Sequence, residues 1–305
     1  MRGVKDLILV IIGGIIFSFV LSFLFPSQQK FQAIISPLAA GIEGTKRILA
    51  SATGQTQGLK EIVESSLKGT RGTYAIIIKN LRSGESFLQN EKRVLEPASL
   101  YKLWVLGAAY KLIKEGNLSE DKVLSREAKE LNELFKIGTD SAELNEGTVT
   151  MRVDRAIDQM ITVSHNYAAL LLVSEVRNAR VSSFMREQGF TRSRLGEPPQ
   201  TTAEDIASFF EKLYRGTMVD SEYSKKMLEL LSRQQLNDII PKYLPDNIEI
   251  AHKTGELGGS KHDAGIIFGK DPILFVVLSE TSSPKGAAER IAELSRNVFN
   301  YFEGE

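Results

Sequence analysis

The chain has 305 residues, 42% hydrophobic and 25% charged, enough to bury a full core in one large domain or two subdomains. Lysine plus arginine equals aspartate plus glutamate at 38 each, which leaves no electrostatic footprint for nucleic acid in the overall balance. The lack of cysteine excludes disulfides, a thiol nucleophile and a lipid-modified N-terminal cysteine, but not an extracytoplasmic location, where disulfides are permitted and not required.

Leu7 through Phe25 is an uncharged, almost wholly apolar run of 19 residues. As a helix it is about long enough to cross a bilayer core of roughly 30 Å. A cleaved signal peptide has an apolar stretch of only about 7–15 residues and a small-x-small cleavage site, whereas Pro26-Ser27-Gln28-Gln29 follows this run. It is therefore predicted to be an uncleaved single-pass anchor. Arg2 and Lys5 precede it, so residues 1–6 are expected in the cytoplasm and the bulk of the chain outside, periplasmic or extracellular. Residues 26–57 read as a tether, ending in the small and polar composition of a flexible linker around Ser51-Ala52-Thr53-Gly54. The remaining domain is expected over 58–305.

Its elements follow in an informative order. A helix over 59–67 leads to a strand, Tyr74-Ala75-Ile76-Ile77-Ile78-Lys79, and a Ser83-Gly84 turn returns the chain through Ser86-Phe87-Leu88-Gln89 as a hairpin. A helical block spans about 98–235, with stops at Gly116, Gly138 and Gly216 and starts at Thr150, at Thr202 with Asp205 three residues on, and at Ser221. Three strands follow over 248–253, 264–269 and 273–279, and a last helix begins after Pro284 and ends near Phe302. Two strands, a helical block, three strands and a closing helix predict an α/β fold of the α+β kind. One antiparallel five-stranded sheet is built from both chain ends with flanking helices, beside an all-helical lobe. A site is expected in the cleft between the two.

Three short motifs fall on these elements. Ser99 and Lys102 lie in Glu96-Pro97-Ala98-Ser99-Leu100-Tyr101-Lys102 at the head of the first helix of the block; Ser164-His165-Asn166 heads another; Lys253-Thr254-Gly255 lies on a strand. Ser-x-x-Lys alone is common, recurring here at Ser65, Ser119 and Ser282, where a solvated face or helix start accounts for it, and Ser-x-Asn recurs at Ser295. Order, context and the separations of 65 and 89 residues set Ser99, Ser164 and Lys253 apart. In these residues the chain resembles the class A β-lactamase family, which shares its fold and acyl-serine chemistry with D,D-peptidases. The first separation fits that family's pattern and the second is somewhat shorter.

The chemistry accounts for the residue types. A serine hydroxyl becomes a nucleophile when a base takes its proton, and Lys102, three residues on and on the same helical face, can reach Ser99. Partial burial and the nearby cation Lys253 would lower the pKa of Lys102 and allow it to be neutral. The backbone N–H of Ser99 and, as the resemblance implies, that of Glu256 would form the oxyanion hole. Ser164 would relay a proton between the two lysines and the leaving nitrogen, or cap its helix, or do both. Asn166 would bind the substrate's side-chain amide. Lys253 and Thr254 would hold the carboxylate that β-lactams and D-Ala-D-Ala peptides share, and Gly255 would leave room for a substrate lying along the strand edge. No cofactor or metal is expected. His165, His252 and His262 sit beside the motifs, but strand alternation places His252 opposite Lys253, and no H-x-x-x-H spacing exists. His262 or Lys261 is a further candidate for the substrate carboxylate.

One departure lies between Gly189 and Thr202. Class A β-lactamases carry there a long loop with Glu-x-x-Leu-Asn, whose glutamate activates the deacylating water. This stretch is short and Glu197 is its sole carboxylate, to be read either as a deacylation base or as a solvated turn residue. The shortened loop predicts slow β-lactam turnover and draws the chain toward D,D-peptidases. Three functions stay open: a β-lactamase, a D,D-carboxypeptidase or penicillin-binding-type peptidase acting on a peptidoglycan stem peptide, and a non-catalytic module that holds such a ligand.

Overall fold

Tyr74 through Ile78 is a continuous apolar run, which a strand can carry only when both faces of its sheet are covered. In the computed structural model, which describes residues 57–196 and 198–304, alternate side chains of this strand enter two different cores. Tyr74, Ile76 and Ile78 join one and Ala75 and Ile77 the other. The strand, β1 (Thr73–Asn80), pairs with β2 (Ser86–Gln89) and β7 (Pro272–Glu280), and the antiparallel sheet continues through β6 (Ser260–Phe268) to β5 (Glu249–Leu257), in the order β2-β1-β7-β6-β5. The expected five-stranded sheet from both chain ends is therefore present. The β1–β2 turn closes on Asn80, whose side-chain oxygen accepts from the N–H groups of Arg82 and Ser83, and Gly84 supplies the positive φ.

One face of the sheet is covered by α1 (57–66) and α9 (Pro284–Glu303), through Leu59, Val63, Ile291 and Val298. The other packs on the helical lobe. Its central helix, α2 (Tyr101–Lys114), buries Leu103 to Ala109 without a break, so it is apolar all round, as a helix enclosed by others must be. Beneath it Trp104 packs on Phe190 and Phe209 at centroid distances of 4.8 and 5.7 Å. Gly107 admits Phe184, because a Cβ there would come within 2.3 Å of the Phe184 ring. Around α2 lie α3 (Ala128–Leu134), α4 (Val153–Thr162), α5 (Asn166–Val176), α6 (Asn178–Glu187), α7 (Ala203–Tyr214) and α8 (Ser221–Leu231).

The lobe is not wholly helical. β3 (Val123–Glu127) and β4 (Thr148–Arg152) form a separate two-stranded sheet. Thr150, expected to start a helix, instead pairs with Ser125, their hydroxyls 2.8 Å apart, and α4 begins at Val153. β-Branched residues on both sides of the pair favour the extended chain, and each strand buries one apolar side chain, Leu124 or Val149. Thr202 does cap α7, accepting from the Asp205 N–H, whereas the α8 cap is Asp220, one residue before the expected Ser221. Among the described residues no helix is long and apolar enough to cross a membrane; the Leu7–Phe25 span and the tether lie outside the described residues apart from Gln57, which stands in α1.

Candidate active site

The site forms where the edge strand β5 faces the first turn of α2. Pro97 and a left-handed Ala98, φ 45°, turn the chain so that Ser99 sits in a short 3-10 turn (Ala98–Leu100) running directly into α2. A non-glycine residue held at positive φ costs on the order of 1–2 kcal/mol, a cost that clusters at functional turns. Lys102 then lies one turn on, with no solvent exposure. Its Nζ donates to the Ser164 carbonyl at 2.6 Å, to Ser164 Oγ at 3.1 Å and to Asn166 Oδ1 at 2.8 Å.

Ser164 is also left-handed, φ 57°. It is not the cap of α5: His165 is, its Nδ1 accepting from the Ala168 N–H at 3.1 Å. The Ser164 hydroxyl is thereby free for the site, and Lys253 Nζ donates to it at 3.0 Å from the other side. Lys253 is fully buried and also donates to the Thr254 carbonyl at 2.9 Å. Two amines thus converge on one hydroxyl. Burial lowers the Lys102 pKa to about 8, against the charge of Glu143, which raises it. Burial, and then the charge of Lys102, lower Lys253 to about 7, with Asp263 acting in the opposite direction.

Ser99, Ser164, Asn166, Thr254, Gly255 and Glu256 line one cavity of about 470 Å³, so the residues singled out in the sequence come together. Lys102 and Lys253 stand behind Ser164. No hydrogen bond engages Ser99 Oγ among the described residues. The packing of the chain itself gives a reason for glycine at 255. A Cβ there would lie 3.0 Å from the Pro97 carbonyl and 3.2 Å from Leu100 Cγ, so glycine lets the strand approach the turn that carries Ser99. The other wall, Gln235 to Ile239, carried no signal in the sequence, nor did Glu143, which accepts from Asn166 Nδ2.

The histidines are structural. His252 lies on the face opposite Lys253, as alternation requires, its ring nitrogens 2.9 Å from Asp263 Oδ1 and 3.0 Å from Asn237 Oδ1. His262 donates from Nε2 to the Glu96 carbonyl and accepts the Ser279 N–H at Nδ1, and burial lowers its pKa. With both nitrogens committed it anchors the turn that carries Ser99 and is not free for a substrate carboxylate. Lys261 rims the cavity in ion pairs with Glu256 and Asp238. Among the described residues no cluster of histidine and acidic side chains is placed to hold a metal ion. The short loop is pinched by reciprocal backbone bonds between Arg194 and Gln200; Glu197, within it, lies outside the described residues.

The profile of the β-lactamase enzyme family matches residues 57–302. The β-lactamase of Sphaerobacter thermophilus DSM 20745 has a similar structure, with a TM-score of 0.72 at 22% identity over 82% of this chain and 98% of that one. PBP-A superposes with a TM-score of 0.70 at 22% identity, over 82% and 97%. The TLA-1 extended-spectrum β-lactamase does so at 0.69 and 20%, over 81% and 99%. Identities this low establish the shared fold. No curated protein sequence matches the chain.

Proposed function

Since the chain belongs to the β-lactamase enzyme family, we propose that it is an acyl-serine hydrolase in which Ser99 attacks the amide carbonyl of a β-lactam. The observation that carries this reading is the convergence of Lys102 and Lys253 on Ser164 Oγ beside an uncommitted Ser99. Neutral Lys102 takes the Ser99 proton as the Oγ–C bond forms, and the N–H groups of Ser99 and Glu256 receive the developing oxyanion. A hydroxyl has one proton and two lone pairs. With both lone pairs of Ser164 turned to the amines, its proton is the one available to the leaving nitrogen as the C–N bond breaks, and a lysine replaces it. Asn166 holds the side-chain amide, and Thr254 with Lys253 the carboxylate. As an edge strand, β5 has backbone groups to offer an extended substrate.

The pinched loop favours a second reading, a D,D-peptidase acting on D-Ala-D-Ala stem peptides. Release of an acyl group needs a water activated from a defined direction, and the loop that would bring the base is short. A mutant of PBP-A has been solved as an acyl-enzyme complex with penicillin G, an adduct of the kind that slow release would leave here. Full-length protein mixed with a chromogenic cephalosporin is therefore expected to show a burst followed by slow turnover, and intact mass should show the matching adduct on a penicillin. Glu197→Gln should trap that adduct and lower turnover at least about tenfold if Glu197 is the base. Fast turnover without a burst, indifferent to Glu197→Gln, would refute slow release; absence of any adduct or turnover would leave the non-catalytic binding module.

The location follows from Leu7–Phe25 and the basic residues ahead of it. Full-length protein is expected to sediment with membranes, its C-terminal domain open to external protease. A trimmed soluble product outside the cytoplasm would instead identify a cleaved signal peptide.

A further inference from the structure

Glu143 belongs to none of the sequence motifs, yet its carboxylate accepts from Asn166 Nδ2, while Asn166 Oδ1 accepts from Lys102 Nζ. We infer that Glu143 is a positioning residue of this site, holding the Asn166 amide in the one orientation that serves both Lys102 and an incoming acyl group. The inference rests on the acylation chemistry above and adds to it a residue outside the shared motifs.

The orientation is decided by charge. Rotating the amide by half a turn would set its NH₂ against the lysine ammonium and its oxygen against the carboxylate, two repulsive contacts in place of two hydrogen bonds. An amide NH₂ has two N–H groups. Glu143 takes one, and the other is left for a substrate carbonyl, so the bond to Glu143 aims the donor without consuming it.

Glu143 is exposed, but the chain that carries it is pinned to the helix that carries Asn166. The neighbouring Leu144 N–H donates to the Tyr167 hydroxyl at 3.1 Å, and the Leu144 carbonyl accepts from the Asn132 amide at 2.7 Å. Tyr167, 2% exposed, follows Asn166 directly in α5 and its hydroxyl lies 2.8 Å from Asn132 Oδ1. An adventitious surface contact has no such buried support. The charge of Glu143 also acts on Lys102, raising the pKa that burial lowers. The other ionisable groups facing Lys102 are Lys253 on β5, with Asp263 acting on it in turn, and Tyr101, whose ring centroid is 6.0 Å from Lys102 Nζ. Of these only Glu143 is a carboxylate joined to the lysine through an active-site amide.

The test uses full-length protein as wild type, Glu143→Gln and Glu143→Ala. Lys102 is titrated directly by NMR of lysine labelled with ¹³C at Cε, its resonance assigned by its loss in Lys102→Arg; no substrate is required. In parallel, the rate of penicillin adduct formation is measured against pH and concentration. Both variants are expected to move the Lys102 titration, and the acid limb of the acylation profile, to lower pH by on the order of half a pH unit, because a negative charge has been removed. Glutamine still offers an oxygen to the Asn166 N–H and alanine does not. The half-saturating penicillin concentration should therefore rise about five- to tenfold in Glu143→Ala and less in Glu143→Gln. An unmoved Lys102 titration in both variants, or equal concentration dependence in the two, would overturn the inference. A shifted titration in a protein that forms no adduct in wild-type form would instead overturn the proposed acylation and leave the Glu143–Asn166–Lys102 linkage standing.

Discussion

Full-length protein carrying Ser99→Ala is expected to take up no covalent penicillin label, and Lys102→Ala to take it up about 10²- to 10⁴-fold more slowly, the usual cost of removing a general base. Ser99 is the one motif serine that lines the cavity with no hydrogen-bond partner among the described residues, so its removal leaves no competing nucleophile. Ser164, the other motif serine lining the cavity, is engaged by both lysines, and peptide mapping distinguishes it from Ser99. The other Ser-x-x-Lys serines serve as controls. Ser65 Oγ donates to the Ile62 carbonyl in α1, Ser119 Oγ accepts from the Asp121 N–H, and Ser282 is exposed after β7; none lines the site. Their alanine variants should label like wild type. The measurement is time-resolved intact mass, with the adduct located by peptide mapping. Undiminished labelling of Ser99→Ala would refute the assignment, and an unchanged rate in Lys102→Ala would remove the lysine from the role of base.

Stability is expected to rise between pH 7 and pH 10, the reverse of a fold held by surface ion pairs. Lys102 falls from the ordinary 10.5 to about 8 on folding and Lys253 to about 7, both through burial. Across that window the unfolded chain binds more protons than the fold, so unfolding becomes less favourable as pH increases. The penalty of burying the two charges is fully present below the folded pKa values and is relieved as pH climbs through them toward 10.5. For Lys102 alone the relief is about 3 kcal/mol, at roughly 1.4 kcal/mol per pKa unit. Above pH 10 the trend should reverse, because burial pushes Tyr101 and Tyr110 to about 12, and the fold then keeps protons that the unfolded chain releases. Urea unfolding from pH 7 to 10 should show the rise, and Lys102→Met should make it shallower, leaving the part that belongs to Lys253. A level or falling curve in wild type, or the same slope in Lys102→Met, would contradict charged, buried lysines.

Much of the fold was legible because its signals are local. Tyr74–Ile78 and the runs over 273–279 and 264–269 are too apolar for anything but strands covered on both faces, and the hairpin turn at Ser83-Gly84 is written in its residues. Lys102 read as buried because Leu100, Leu103, Trp104, Val105 and Leu106 surround it in sequence, and it is. The β3–β4 pair was not legible, since its strands are short, lie some 20 residues apart, and bury one apolar side chain each. Thr150 carried a helix-start pattern that the pairing with Ser125 overrode.

The sequence by itself determined which residues are the candidates for chemistry. Ser99, Lys102, Ser164, Asn166 and Lys253 were identified by type, order and helical or strand context, and the periodicity of helix and strand says which of them share a face. What only the tertiary structure decided is how they meet. Ser164 stands free of capping because His165 takes that role, two lysines find one hydroxyl across 62 and 89 residues of chain, and Gly255 lets β5 approach Pro97 closely. Glu143 and the 235–239 wall belong to this second class as well. The physical reason is that dihedral preference and hydrophobic period act over a few residues, whereas loop placement depends on which distant backbone groups find partners, and no local pattern records that choice.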